Sequence, residues 1–201
     1  MKKVRTTSIL ALMVIALMVT SCKNDKKVES NNVEHHSEMS HDNSDGHHDG
    51  EKKEMVINNN QKENSEKVLS DYFNLKNALV SDDESKAKEI GAILKESLNN
   101  LDISKYTDAQ KLELKDIIVD ANEHAEHISK SPIAHQREHF KVLSKDIIDM
   151  VAITGTSNKL YEQYCPMYEK GSAWLSMNEE VRNPYYGGKM LKCGKVQREI
   201  N

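Results

Sequence analysis

Four sulfur-bearing side chains fall into two short clusters near the C-terminus. Cys165 and Met167 flank Pro166, and Met190 and Cys193 precede Gly194. Thiolate and thioether sulfur are soft ligands that select Cu(I), and less exclusively Zn. Turns at these spacings can aim both sulfurs of a pair at one point. Cys165, Met167, Met190 and Cys193 are therefore a candidate site for Cu(I), with Zn, Ni or Ag as further ions. The same cysteines support a second reading. Of the three in the chain, Cys22 closes an N-terminal signal, and two thiols in an oxidising compartment ordinarily mean a disulfide. A Cys165–Cys193 bridge would staple the C-terminal segment, worth about 3–4 kcal/mol by loop entropy. The residue pattern leaves both readings open.

Imidazoles form the second constellation. His35, His36, Met39, His41, His47 and His48 are interleaved with Glu34, Glu38, Asp42, Asp45 and Asp49. Imidazole suits Cu(II), Zn and Ni, and a flexible histidine tract binds them loosely, without a preformed cage. A polar spacer with incidental histidines is the plainer alternative, and the density of the tract favours metal capture. His124 and His127 lie three apart, His135 and His139 four apart, and either spacing puts both rings on one helical face. Each pair alone reads as solvated surface or packing. If the two helices are antiparallel neighbours, His127 and His135 lie close to the turn and can approach each other. The two pairs are read as auxiliary ligands or as groups that support the ligands, with His127, His135 and His139 as the candidate metal residues. The intervening Gln136-Arg137-Glu138 reads as a charged flank.

The elements that must position these groups begin after an N-terminal signal. Lys2, Lys3 and Arg5 precede a short apolar run, Ile9 to Val19, too short to span a bilayer comfortably. It ends in Val19-Thr20-Ser21-Cys22, which looks like a lipobox. Residues 1–21 are thus expected to be a lipoprotein signal peptide, with Cys22 lipidated and the chain held to a membrane by several acyl chains. Lys23 after the lipidated residue favours the outer membrane. Residues 22–62 are nearly devoid of large apolar side chains and read as a disordered, His-rich tether.

Residues 63–201 form the expected domain. Val68, Leu69, Tyr72, Phe73, Leu75, Ala78 and Leu79 recur at helical steps, and a second stripe joins Ala87, Ile90, Ile93, Leu94, Leu98 and Leu101. Ser81-Asp82-Asp83-Glu84 and Thr107-Asp108-Ala109-Gln110 have capping-box spacing. Leu114, Ile117, Ile118, Ala121, Ala125 and Ile128 mark a third helix. Ser131-Pro132 reads as N-cap and first residue of a fourth, which carries Ile133, Phe140, Leu143, Ile147 and Met150 and ends at Gly155. The fold class expected is all-α: an antiparallel four-helix bundle with a loop-rich C-terminal segment packed on it. A short helix is expected from Ser176-Met177-Asn178-Glu179, and Trp174, Tyr185 and Tyr186 should pack the segment down.

Composition excludes several functions. A net charge of −4 with no basic run outside the signal argues against a nucleic-acid partner. No HExxH, phosphate-cradling glycine loop, nucleophile elbow or CxxC occurs, so an enzyme is not expected.

The stretch from Tyr72 to the C-terminus resembles an uncharacterised helical domain of small lipoproteins, also found appended to periplasmic adaptor subunits of heavy-metal efflux pumps. The carrying motifs are Tyr72 to Val80, His135-Gln136-Arg137-Glu138-His139-Phe140, Tyr164-Cys165-Pro166-Met167, Gly171 to Ser176, and Arg182-Asn183-Pro184-Tyr185-Tyr186-Gly187 leading to Met190-Leu191-Lys192-Cys193-Gly194. The resemblance implies a link to copper or other heavy-metal efflux, without supplying a ligand set. No barrel-sandwich or lipoyl-like region is present, so the chain is not itself expected to be an adaptor. The expectation is a membrane-anchored metal-binding protein that captures, buffers or delivers copper. The alternative is an interaction lipoprotein, stapled by Cys165–Cys193 and docked on an envelope or efflux complex.

Overall fold

Apolar side chains at three- and four-residue intervals can be buried together only along one side of a helix, and four such helices form. The computed structural model describes residues 59–200, with side chains from residue 63 onward. The helices are α1 (Asn59–Val80), α2 (Glu84–Asn99), α3 (Asp108–Lys130) and α4 (Ile133–Thr154). Helix α1 thus begins inside the expected tether. Short connections make consecutive helices antiparallel neighbours, and α1 closes the bundle against α4. Val68, Leu69, Tyr72, Leu75 and Leu79 of α1 face Leu94, Leu98, Leu114, Ile128, Phe140, Leu143 and Ile147 in one apolar core. Ile93, expected inward, is 38% exposed.

The caps show which end signals are local. Thr107 and Gln110 form the reciprocal capping box expected of them. At α2 the cap is Asp83, which accepts from the Lys86 N–H at 2.9 Å. Gly155 ends α4 at a positive φ of 67°. The expectation for the start of α4 is corrected. Pro132 occupies the N-cap with no side-chain bond, and Ser131 instead ends α3. The free N–H of Ile133 is taken at 3.0 Å by Glu84, which comes from the start of α2.

The all-α expectation is also corrected. The C-terminal segment is rich in loops, as expected, but it also contains β1 (Leu160–Cys165), β2 (Ser172–Ser176) and β3 (Lys195–Ile200), a small antiparallel sheet in the order β2-β1-β3. Gln163 sits opposite Trp174 on one side and Val196 on the other, with an irregularity between Glu162 and Gln163. Strand β2 lies on α4, and Leu160, Cys165, Trp174 and Leu175 extend the helical core. The expected helix at Ser176 is absent, because Ser176 ends β2. Gln163, fully buried, donates its side-chain amide to the carbonyls of Asn178, Glu179 and Glu180 and fixes that turn. A single 3-10 turn, Gly187–Lys189, follows. Trp174 and Tyr185 are buried, as expected of the aromatic run.

Arg137 joins the parts. Read from sequence as a charged flank, it is buried and donates to the carbonyls of Leu79 and Pro184 and to Asp82 Oδ1, at 2.6–2.9 Å. Gln136 beside it is fully buried and donates to the Ile128 carbonyl. Gly187 sits against this junction at φ 54°, where a Cβ would collide with Asp82 and Arg137.

Candidate metal centre

The turn between α3 and α4 is only Ser131 and Pro132, so the last turns of one helix lie beside the first turns of the other. His124 and His127 on α3 therefore meet His135 and His139 on α4. The His127 and His139 rings stack with centroids 4.4 Å apart, and His135 stands edge-on to His139 at the same distance. His139 Nε2 is 3.0 Å from His135 Nε2, and its Nδ1 is 2.9 Å from His124 Nδ1. One ring nitrogen from each of His127, His135 and His139 can be chosen so that all lie within 4.8 Å of one another. Nitrogens sharing an ion at 2.0–2.1 Å lie about 2.9–3.4 Å apart. The His135–His139 separation already matches, and His127, stacked on His139, is exposed.

Burial favours the neutral form at two of these rings, His139 and His124. Burial, followed by the His127, His135 and His124 rings, pushes His139 down to about 4 from an ordinary 6.5. Burial also lowers His124, against the opposing pull of Glu123 and Asp120. Neutral imidazole is the form that binds metal. Outside the cluster, the His135 Nδ1 lies 2.6 Å from Glu138 Oε2, and Glu123 approaches His127 Nε2 at 3.9 Å.

The sulfur constellation is partly assembled. Cys165 ends β1 and Cys193 lies just before β3, and pairing of those strands brings the sulfurs to 2.9 Å. The separation is shorter than the about 3.7 Å of two thiolates on a tetrahedral ion at about 2.3 Å and longer than the about 2.05 Å of a disulfide, and both cysteines are free thiols. Burial raises the Cys165 thiol. Its hydrogen bonds with Cys193, with the N–H groups of Met167 and Tyr168 and with Asn183 outweigh this and bring it below the usual value. The bond to Cys165 raises Cys193, as does burial, to about 11. Met167 is 63% exposed and Met190 40%. Both contribute backbone to the cysteine turns: the Met167 N–H meets Cys165, and the Met190 carbonyl accepts from the Cys193 N–H at 3.0 Å. Trp174 is fully buried, edge-on to Tyr185.

Sequence reasoning underrated three groups here. Glu138 was taken for surface charge, although a carboxylate three residues from a histidine on a helix is a visible signal. His124 was set aside from the ligands, yet it touches His139. Asn183 gave no signal: it is fully buried and its side-chain amide holds the Cys193 carbonyl at 2.7 Å. Cys22, His35, His36, His41, His47 and His48 lie outside the described residues. Among the described residues, no helix is long and apolar enough to cross a membrane.

Residues 68–159 match the model of a family described as a protein of unknown function (DUF3347). The match spans the helical bundle, histidine cluster included, and ends just before β1, so the Cys, Met and Trp motifs of the sheet fall beyond it. No curated protein and no solved structure gives a significant match. The chain is thus similar, over less than half its length, to an uncharacterised domain family.

Proposed function

We propose that this chain is a metal-capture protein of the cell envelope. Its ion-binding element is the histidine cluster of the α3–α4 hairpin, and copper is the first candidate ion, with zinc, nickel and silver behind it. The observation that carries this reading is the convergence of His127, His135 and His139. Three imidazoles suit Cu(II), Zn and Ni. Exposure of His127 and His135 allows the ion to be taken up and passed on. In the same proposal Cys22 carries the lipid anchor, the His35–His48 tract gathers ions loosely, and a heavy-metal efflux system is the recipient. No catalytic role is proposed.

A second function for Cys165 and Cys193 is a disulfide staple for the sheet, formed on oxidation of two free thiols that already stand 2.9 Å apart. Cu(I) or Ag(I) binding by Cys165, Met167, Met190 and Cys193 then requires the reduced chain and a spreading of the pair.

Thermal unfolding of the full chain with and without Zn2+ or Cu2+ tests the reading. The hairpin site exists only in the folded state, so occupancy stabilises it by about 2.7 kcal/mol at a hundredfold excess over Kd. Replacing His35, His36, His41, His47 and His48 by Ala separates any contribution of the N-terminal tract to the shift. A rise in Tm, absent from His127→Ala/His139→Ala, supports the hairpin site. No rise in the wild-type chain overturns it.

A further inference from the structure

The cluster contains an ordered chain of contacts extending beyond the three ligand rings. His124 Nδ1 faces His139 Nδ1 at 2.9 Å, His139 Nε2 faces His135 Nε2 at 3.0 Å, and His135 Nδ1 faces Glu138 Oε2 at 2.6 Å. A carboxylate can only accept, so His135 must carry its proton on Nδ1. Its Nε2 is then a lone pair, which receives the His139 Nε2–H. His139 Nδ1 is left as an acceptor for the His124 Nδ1–H. With neutral rings, every contact has one donor and one acceptor, and the polarity is set from the Glu138 end.

We infer that Glu138 and His124 are positioning residues of the metal centre, holding the His135 and His139 lone pairs toward one ion without binding it. This rests on the reading of the cluster as an ion site. His135 already presents Nε2 when the site is empty. His139 must move its proton from Nε2 to Nδ1 as the ion enters. His124 accommodates that by becoming the acceptor at Nδ1 and carrying its own proton on Nε2. Phenylalanine at position 124 could pack there and could not change roles. A ligating histidine whose other nitrogen is held by such a group is oriented and made more basic, and loss of the holding group typically weakens metal binding 10–100-fold.

The experiment compares Zn2+ affinity, by competition with a chromophoric chelator, in the full chain and in Glu138→Gln, Glu138→Ala and His124→Phe. Binding by the N-terminal tract is separated by replacing His35, His36, His41, His47 and His48 by Ala. Long-range 1H–15N spectra of the metal-free proteins read the His135 tautomer. Glu138 is half exposed, so folding of its variants is expected to survive, with circular dichroism as the check. Expected are a Zn2+ affinity lowered at least tenfold in Glu138→Ala and His124→Phe, and a smaller loss in Glu138→Gln, whose amide oxygen still accepts. His135 should be Nδ1-protonated in the wild type and should lose that preference in Glu138→Ala, a change that a merely structural role would not produce. Wild-type binding with variants inside twofold, or a His135 protonated on Nε2 in the wild type, overturns this inference alone. No Tm shift in the wild type overturns the metal-centre reading and this inference with it.

Discussion

The histidine hairpin and the cysteine pair both bring ligand-type side chains into contact, by different means. In the hairpin, α-helical periodicity puts the rings in two rows and a two-residue turn lays the rows together. Nothing outside α3 and α4 is needed, and the rings stay partly open to solvent. In the sheet, Cys165 and Cys193 are 28 residues apart and meet because β1 and β3 pair, with Asn183 fastening the Cys193 carbonyl. Cys165 is sealed in the core. The histidine site, with His127 and His135 exposed, suits an ion that must arrive and leave, and the cysteine pair, with Cys165 buried and Cys193 half-buried, suits a lasting bond. The lesson is that soft-ligand residue types alone do not identify an exchange site: accessibility and ligand separation decide between capture and closure.

The largest expected effect would break this contrast if it failed. Purified without reductant, the chain should show no free thiol at Cys165 or Cys193, and reduction should lower unfolding stability by about 3–4 kcal/mol. Unchanged stability, with both thiols free, would make the sulfur pair open after all. An anaerobic titration of the reduced chain with Cu(I), repeated on Cys165→Ser/Cys193→Ser, then decides whether the pair spreads to bind.

The next largest effect sharpens the independence of the two regions. The Zn2+-induced rise in Tm should disappear in His127→Ala/His139→Ala and persist in Cys165→Ser/Cys193→Ser. A rise that depends on the cysteines would place the ion in the sheet region.

Smaller effects come from titration along the α3–α4 seam. His139 is pushed down to about 4 when folded, so the unfolded chain takes the proton more readily. Its contribution to stability is present above about pH 6.5 and is lost as pH falls toward 4. Asp146, on α4, behaves oppositely. Burial, followed by the charge of Asp120, raises it to about 6 from 3.8, and its Oδ2 has no hydrogen-bond partner. The folded chain therefore takes that proton first, and stability declines as pH rises from about 4 through 6. Urea unfolding of the metal-free chain across pH 4–7 should show Asp146→Asn removing the decline and stabilising the chain at neutral pH. His139→Asn should remove the acid-side loss. Parallel responses of the two variants would contradict the opposed charges of the seam.

Much of the bundle was legible because its determinants are local. The stripe from Val68 to Leu79 needs only the helical repeat, and the Thr107–Gln110 box closes within four residues. The start of α4 was misread because its N-terminal acceptor is Glu84, which is brought to Ile133 by packing of α2. The sheet was missed because its strands are short and mix polar with apolar residues, and Gln163 looks like a surface residue. Burial of the Gln163 amide nitrogen is offset because three carbonyls from residues 178–180 accept or share its hydrogens, although its Oε1 has no partner. Arg137 likewise looked like solvent-facing charge. Two backbone carbonyls and Asp82, from two separate parts of the chain, make its burial possible.

Sequence alone determined the four helices, the pairing of histidines on helical faces and the chemical softness of the sulfur groups, since each depends on residue type and spacing over a few turns. Tertiary structure alone decided that His124, His127, His135 and His139 form one cluster. It also decided that Cys165 and Cys193 approach to 2.9 Å, and that Glu138 meets His135. Those outcomes depend on distances between segments, which packing and strand register set and which no local pattern encodes.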